Sequence, residues 1–321
     1  MAVTKSARNL LYYDLVVTRR AQHAPYPALQ LLADLWIKSH ADGDVPAKKF
    51  QNGEITAILK DVDTDLTNKI LTLLIELSDR EAPDATYVNH AARTSTHHAK
   101  GTDEGSGNSA HVFISLEPNA LKPDTYMTLI ESIPSVSAQR IQAILNSIVK
   151  HYCEENPNLF TYQKPGGSKK IVPYQPHIAL GGYPSDQFLK DIETGKIHGM
   201  TLVSPKVKAP LGQSPYLKLE QLTMKVKVSK DLPKGQRWQT LLGEARLNQA
   251  EFPQARIFLQ PEKDGKSVSV DVDANSGTVM GDGYVKVVRI DNIVPPMSRS
   301  SPDKVAAQLR DRAAAIIVRE R

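Results

Sequence analysis

The 321 residues are 40% hydrophobic and 23% charged, a balance typical of a folded globular protein and unlike that of a disordered chain. No run of about 18 uncharged apolar residues occurs, and the first residues lack the pattern of a signal peptide. The sequence therefore predicts a soluble, cytoplasmic protein without direct membrane insertion. The single cysteine, Cys153, excludes an intramolecular disulfide and a multi-cysteine zinc site.

Positive charge is concentrated in the second half of the chain. Residues 1–160 carry 15 Lys and Arg against 19 Asp and Glu, a net charge of −4, whereas residues 161–321 carry 25 against 16, a net charge of +9. Between residues 196 and 237, nine basic residues are opposed only by Glu220 and Asp231. A basic segment of this density favours a polyanionic partner, and the sequence predicts nucleic acid.

In the first half, apolar β-branched stretches alternate with helical patterns. In chain order we expect a strand at 10–17, a helix at 28–40, a strand at 54–61, a helix or buried strand at 66–77, a mobile loop at 97–109, a strand at 111–116, and helices at 126–130 and 137–152. Ser137 is expected to cap the last of these helices. Periodicity alone does not decide between helix and strand at 66–77.

The second half follows a proline-rich stretch at 156–184. In chain order we expect a helix at 186–193, strands at 197–204 and 216–228, a helix at 237–247, a hairpin of 255–260 with 267–272, a strand at 284–288 and a C-terminal helix at 304–321. The predicted fold class is α+β, with mixed or antiparallel sheets and packed helices in a two-part architecture. Its parts are an acidic N-terminal domain (1–160), a connector (161–184) and a basic C-terminal domain (185–321).

The strand around Lys225 and Lys227 is the strongest functional candidate. These lysines alternate with Met224, Val226 and Val228, so on a strand we expect the apolar side chains in the core and the ammonium groups in solvent. The two lysines would lie about 7 Å apart, a spacing similar to that of successive phosphates on one nucleic-acid strand. The alternative is a solvated edge face, where lysines discourage pairing with another strand.

The charge pattern predicts nucleic-acid binding without sequence readout. Duplex DNA is favoured over single strands because the basic segment lacks interleaved aromatic residues. The predicted phosphate contacts are Lys206, Lys208, Lys218, Lys225, Lys227, Lys230, Lys234 and Arg237. The prediction includes no catalytic residue, metal ligand or cofactor.

Two other functions remain open from the residues alone. Asp271 and Asp273 lie on one face of a predicted strand beside Asn275 and Gly277, an arrangement that could hold a hard cation for a metal-dependent nuclease. However, no Glu-x-Lys pattern accompanies them, and acids before a glycine are commonly turn residues. The basic face could instead bind an acidic protein. The nine histidines show no ligand pattern and are predicted to be surface or hydrogen-bonded residues.

The C-terminal helix at 304–321 combines charge with an apolar stripe. The stripe consists of Val305, Leu309 and Ile316, and we expect it to pack on the domain, with self-association as the alternative. The basic residues of this helix are Lys304, Arg310, Arg312, Arg319 and Arg321.

Several local sequences and their order carry a resemblance that spans most of the chain. They are Tyr12-Tyr13 before a Leu-rich helix at 29–36, Asp-Leu-x-x-Lys-Ile at 65–70, the segments 219–228 and 252–259, and the Asp264-Gly265 hairpin. These features resemble phage-exclusion sensor proteins of the lambda Rex type, although the Gly-rich loop near Gly105 and the connector have no counterpart. The resemblance implies a cytoplasmic, DNA-binding protein that forms a homodimer or other homo-oligomer and acts in antiviral defence with a membrane-protein partner. It implies no catalytic residues.

Overall fold

The computed structural model of the chain describes residues 4–19, 21, 23–43, 47–165, 170–204, 221–228, 231–263, 265–281 and 283–321. Its strands are β1 (Arg8–Arg19), β2 (Lys48–Phe50), β3 (Ile55–Asp65), β4 (Ile70–Asp79), β5 (Ala85–Asn89), β6 (Thr94–His98), β7 (Ser106–Ser115), β8 (Thr125–Glu131), β9 (Thr161–Gln163), β10 (Ile171–Pro173), β11 (Pro176–Gly182), β12 (Lys196–Ser204), β13 (Leu222–Lys227), β14 (Gln254–Gln260), β15 (Val268–Asp273), β16 (Val279–Met280) and β17 (Val287–Ile290). Its helices are α1 (Leu29–Asp42), α2 (Ala138–Glu155), α3 (Asp186–Thr194), α4 (Arg237–Leu247) and α5 (Ala307–Glu320). Strands predominate and pair antiparallel, as in β1–β8, β3–β4 and β12–β14, which agrees with the predicted α+β class.

The chain forms two compact units. Unit 1 comprises Met1–Leu180 together with Val288–Arg321, and unit 2 comprises Gly181–Val287. These units divide the chain differently from the predicted domains 1–160 and 185–321, because the C-terminal segment with α5 packs on the strands of unit 1. The stretch predicted as a connector, 161–184, contains β9, β10 and β11.

The sheet of unit 1 has the strand order β11-β1-β8-β7-β4-β3-β2, and β17 also pairs with β1. Every residue of β8 is buried. Because successive side chains of a strand point to opposite faces, β8 must be covered on both. On one face, the hydroxyl of Tyr126 accepts the N–H of Leu29 at the start of α1 (3.4 Å). On the other, Tyr12, which lies opposite Leu129, donates its hydroxyl to Glu320 of α5 (3.0 Å).

The helices that cover unit 1 follow from sequence patterns. The side chain of Ser137 accepts the N–H of Arg140, which confirms the predicted cap of α2. Ile141, Leu145 and Ile148 of α2 recur at helical spacing and are buried. The indole N–H of Trp36 in α1 donates to the carbonyl of Leu145 (3.2 Å), so the two helices pack as one layer.

The sheet of unit 2 has the order β13-β12-β14-β15-β16. One face of it carries buried residues such as Leu202, Ile257 and Val270. Helices α3 and α4 form the layer beside it, where the ring of Phe188 meets that of Trp238 edge-on at 5.3 Å between centroids. The opposite face is open to solvent in the part of unit 2 that the structure describes.

Three segments of unit 1 differ from, or resolve, the sequence-based expectation. The segment 126–130 is not a helix but part of β8, because it pairs with both β1 and β7, and its β-branched residues Thr128 and Ile130 suit a strand. The segment 66–77 forms a turn followed by the buried strand β4. The segment 97–109 is a loop only at 99–105, because its two ends belong to β6 and to β7, which pairs with β4.

A close backbone approach explains the composition of that last segment. A Cβ on Gly105 would lie 2.3 Å from Ser78 Oγ and 2.9 Å from the backbone carbonyl carbon of Asp79. Glycine is therefore required at position 105, where the chain enters β7.

Candidate nucleic-acid interface

Lys225 and Lys227 lie on β13, the outermost strand of unit 2. Among the described strands, β13 pairs only with β12, with Lys225 opposite Thr201 and Lys227 opposite Gly199. Both lysines are exposed, and neither has an ion-pair partner in the part of the chain that the structure describes. The structure thus confirms a strand at 222–227 and the solvent exposure of both lysines, whereas residues 216–220 of the predicted strand lie outside the described residues.

The apolar side of β13 differs from the expectation. Met224 is 37% exposed, and Val226 and Val228 are only half-buried. The prediction that these three residues lie in the core was wrong, because a strand at the edge of a sheet has a neighbour on one side only. The core of unit 2 lies instead under β12, β14 and β15, at residues such as Leu202 and Ile257.

The register extends the lysine face across the sheet. Arg256 lies opposite Thr201 on β14, and therefore in the same row as Lys225 two strands away, about 10 Å apart. Lys196 lies opposite Gln260, in the next position along that face after the bulge between Ile197 and Gly199. The open face, as we call it, carries four cations from three strands: Lys196, Lys225, Lys227 and Arg256.

One of these cations is paired within the face. Arg256 Nε lies 2.6 Å from Asp271 Oδ1, and Nη2 lies 2.9 Å from Oδ2. The hydrogen bond that Arg256 donates to Asp271 raises the pKa of Arg256 above its usual value, so the guanidinium stays charged. Lys196, Lys225 and Lys227 remain beside this pair without an acidic partner among the described residues.

An aromatic ring also stands on the open face. Phe258 is 37% exposed and lies opposite Gly199, which in turn lies opposite Lys227. The sequence did not suggest this neighbour, because Phe258 is 31 positions from Lys227 and meets it only through the pairing of three strands. A ring beside an ammonium group offers a flat apolar surface within a charged one.

The other described members of the predicted set lie elsewhere in unit 2. Arg237 donates from Nη1 to the carbonyls of Gly195 (2.7 Å) and Ile192 (3.4 Å), and so it binds the carboxyl end of α3. Lys234 is exposed in the turn before α4. Glu193 fixes this turn by accepting the N–H of Gly235 at 2.8 Å.

The structure therefore places the described members of the predicted phosphate contacts at different positions in unit 2. Lys225 and Lys227 share one face, whereas the guanidinium of Arg237 is used inside the unit. The remaining predicted contacts, Lys206, Lys208, Lys218 and Lys230, lie outside the described residues.

The two carboxylates proposed as metal ligands of a nuclease, Asp271 and Asp273, already form other contacts. Asp271 pairs with Arg256, and Asp273 Oδ1 accepts the N–H groups of Asn275 (3.0 Å) and Ser276 (2.8 Å) in a turn. Among the described residues, no group of three or more His, Cys, Asp or Glu side chains is arranged to hold a metal ion. The geometry favours an ion pair and a turn over a cation site.

The fold also redistributes the charge that the sequence shows. Unit 1 contains 25 Lys and Arg against 23 Asp and Glu, a net charge of +2, and unit 2 contains 15 against 12, a net charge of +3. The reason is that unit 1 includes residues 161–180, with three lysines and no acid, and residues 288–321, with 7 Lys and Arg against 4 Asp and Glu. The C-terminal segment pairs with acids of β3: Lys304 Nζ lies 3.1 Å from Asp61 Oδ1, and Arg310 contacts Asp63. Its apolar residue Leu309 is buried, as core packing predicts.

No local sequence pattern indicates the buried polar cluster that the structure shows in unit 1. Glu131 Oε1 lies 2.5 Å from Arg8 Nε, and Glu131 Oε2 lies 2.6 Å from His111 Nδ1. Burial alone would raise the pKa of Glu131, but the hydrogen bond of His111 and the charge of Arg8 outweigh burial and lower it. The three residues come from β1, β7 and β8, so no local pattern joins them.

His111 has no free ring nitrogen for proton transfer. Its Nε2 accepts the N–H of Ala306 (3.1 Å), and because a backbone N–H can only donate, the ring proton lies on Nδ1 toward Glu131. His111 is thus a hydrogen-bonded core histidine, as predicted. The cluster ties the segment before α5 to the sheet and does not form a catalytic dyad.

Comparison with known proteins gives no match to a protein-family model, and no curated protein matches the chain. Among the described residues, no helix is both long and apolar enough to span a membrane.

Proposed function

We propose that the chain binds nucleic acid through the open face of unit 2, with Lys225 and Lys227 as phosphate contacts. The observation that supports this proposal is that both lysines are exposed on one face of β13, without acidic partners among the described residues. Lys196 and Arg256 extend the same face. The proposal makes unit 2 the nucleic-acid-binding part of a two-part molecule.

Local arrangement, and not total charge, supports this proposal. The two units differ by a single unit of net charge, so the contrast between −4 and +9 in the sequence does not separate them. On the open face, however, four cations are opposed by Asp271 and Asp273 only, within the described strands. Exposed cations held at fixed spacing are suited to bind a phosphate backbone.

We propose duplex DNA as the ligand, bound without base readout. Proteins that hold single strands stack successive bases on several aromatic rings, whereas the described part of the open face offers Phe258 alone. The cations are suited to contacts with phosphates, which position a protein on DNA but carry no direct sequence information.

The wider role rests on the resemblance to phage-exclusion sensors. We propose a cytoplasmic protein that self-associates and acts in defence against phage, with DNA as the bound signal and a membrane protein as its further partner. A small membrane protein encoded beside this chain would support that role.

A salt titration tests the binding. Fluorescence anisotropy of a labelled duplex should report affinity that falls steeply between about 50 and 200 mM salt and varies little with sequence. Absence of binding at low salt, or binding indifferent to salt, contradicts the proposal. Binding of an acidic protein but not of DNA would assign the face to protein recognition instead.

A further inference from the structure

Phe258 is an aromatic side chain that points into solvent from the open face. On β14, Arg256 and Phe258 are exposed, whereas Ile257 and Leu259 are buried, as the alternation of a strand requires. The ring is 37% exposed at a position where its neighbours on the same face are polar. A single exposed apolar residue is common on protein surfaces, so the surroundings of the ring indicate what it can bind.

The two neighbours of Phe258 across the sheet leave its ring uncovered. Gly199 lies opposite on β12 and has no side chain, and Ser269 lies opposite on β15 with a small, exposed side chain. A larger residue at 199 is obstructed, because a Cβ there would lie 2.6 Å from the carbonyl oxygen of Val226. No large side chain therefore stands beside the ring on either neighbouring strand, which leaves room for a flat group.

Cations surround the ring at a spacing that suits the phosphates next to one base. Lys227 lies in the row of Phe258, two strands and about 10 Å away, and Lys225 lies about 7 Å further along β13. Neither lysine has an acidic partner in the part of the chain that the structure describes. A ring alone suits any flat apolar ligand and an ammonium group alone suits any anion, whereas the two together match a nucleotide.

We propose that Phe258 stacks against one unpaired base of a DNA duplex that carries a single-stranded extension. This inference rests on the proposed binding of duplex DNA by the open face. A base inside a duplex is covered by its neighbours in the stack, so only an unpaired base offers a free face to the ring. Within the described part of the open face Phe258 is the single phenyl ring, and it therefore accommodates one base and not a series.

The charge around the ring favours DNA over a protein partner. The cores of protein interfaces are depleted in charged residues, whereas Phe258 lies between the cations Lys227 and Arg256. Stacking on an aromatic side chain tolerates every base, because each base has a π-face. The contact therefore agrees with DNA binding that varies little with sequence.

Two duplexes that differ in one base test the inference. One carries an unpaired adenine nucleotide at its end, and the other carries an abasic nucleotide there, so both have the same number of phosphates. Fluorescence anisotropy with the full chain at constant salt should show the first duplex bound about tenfold more tightly, as expected for one base stacked on an aromatic side chain.

Variants at Phe258 assign this difference to the ring. Phe258→Leu should remove the difference between the two duplexes, and Phe258→Tyr, which keeps a ring, should retain it. Leu247→Ala removes an exposed apolar side chain at the end of α4 and should leave the difference unchanged.

Photochemical crosslinking reports the contact directly. With 5-iodouracil as the unpaired base, irradiation should attach the extension to the peptide that contains Phe258, as located by mass spectrometry. If Phe258→Leu fails to fold, this crosslink and the comparison of the two duplexes in the parent carry the test.

The outcomes separate this inference from the proposed function on which it rests. Equal affinity for the adenine and abasic extensions, or a difference that persists in folded Phe258→Leu, would overturn the stacking. Weaker binding by Lys225→Gln with Lys227→Gln in the same assay would then leave the proposed function standing. Absence of DNA binding by the parent would contradict both.

Discussion

Arg256 and Asp271 face each other across β14 and β15 and form a two-point ion pair, at 2.6 and 2.9 Å. The pair lies in the row of Lys225. Asp271 therefore neutralises one of the four cations of the open face. The same residue would be a metal ligand in a nuclease, so substitutions of Asp271 distinguish DNA binding from metal-dependent cleavage.

Asp271→Asn should strengthen DNA binding. The substitution releases Arg256 for a phosphate, so the slope of log affinity against log salt should steepen by about one unit. Glu244→Gln makes the same charge change in unit 2 at an exposed position of α4 and should have a smaller effect. An equal gain in both variants would mean that net charge, and not the row of Lys225, sets affinity.

Asp271 and its neighbour Asp273 also bear on catalysis. With magnesium or manganese, the parent protein should leave labelled DNA and RNA intact. Cleavage by the parent that is abolished in Asp271→Ala or Asp273→Ala would favour a metal-dependent nuclease. Cleavage that survives both substitutions would place the activity at another site.

Asp61→Asn should make unit 1 less stable in a pH-dependent way. Asp61 accepts the N–H of Val305 (2.7 Å) and the ammonium of Lys304 (3.1 Å), and the loss at pH 7 should be about 2 kcal/mol. Burial raises the pKa of Asp61, but these hydrogen bonds outweigh burial and lower it below the usual 3.8. The stabilisation is therefore complete above that usual value and is lost as pH falls through the lowered one.

Urea unfolding from pH 7 down to pH 3 measures this difference between parent and variant. It should shrink only in the acidic part of the range. Asp34→Asn changes an exposed aspartate of α1 and should have little effect at any pH. A difference that stays constant from pH 7 to pH 3 would contradict the assigned role of Asp61.

Leu309→Ala should lower the free energy of unfolding without changing the oligomeric state. Leu309 is fully buried in unit 1, and such truncations cost about 2–5 kcal/mol. Val318→Ala on the same helix removes a side chain that is 42% exposed and should cost much less. Chemical unfolding and sedimentation check both quantities. Loss of self-association at unchanged stability would instead place the apolar stripe of α5 in a dimer interface.

The sequence predicted elements best where the local pattern also matches the tertiary environment. Ser137 capped its helix and Lys225 alternated on its strand as expected, because both signals are local. The prediction of a helix at 126–130 was wrong, because the burial of this segment between two strands is a property of the sheet and not of the local sequence. Likewise, Met224 was placed in the core, since the pattern does not reveal that its strand is an edge.

The site was predictable only in part, for the same reason. The lysines of β13 are neighbours in sequence, whereas Arg256 and Phe258 join them through strand register. The contrast in charge between the two halves of the sequence disappeared because residues 161–180 belong to unit 1, and because the basic C-terminal segment returns to that unit, where it pairs with acids of β3. The order of residues along the chain does not indicate that the C-terminal segment packs on unit 1.

The most direct test of the account compares two double variants of equal charge change. Lys225→Gln with Lys227→Gln removes two proposed phosphate contacts, and Lys48→Gln with Lys49→Gln removes two lysines of β2 in unit 1. Thermal melting should be nearly unchanged in both, as expected for surface positions. Anisotropy with duplex DNA should show the salt slope reduced by about two units in the first variant only. If the first variant binds like the parent at every salt concentration, or both variants lose affinity equally, β13 is not the nucleic-acid surface.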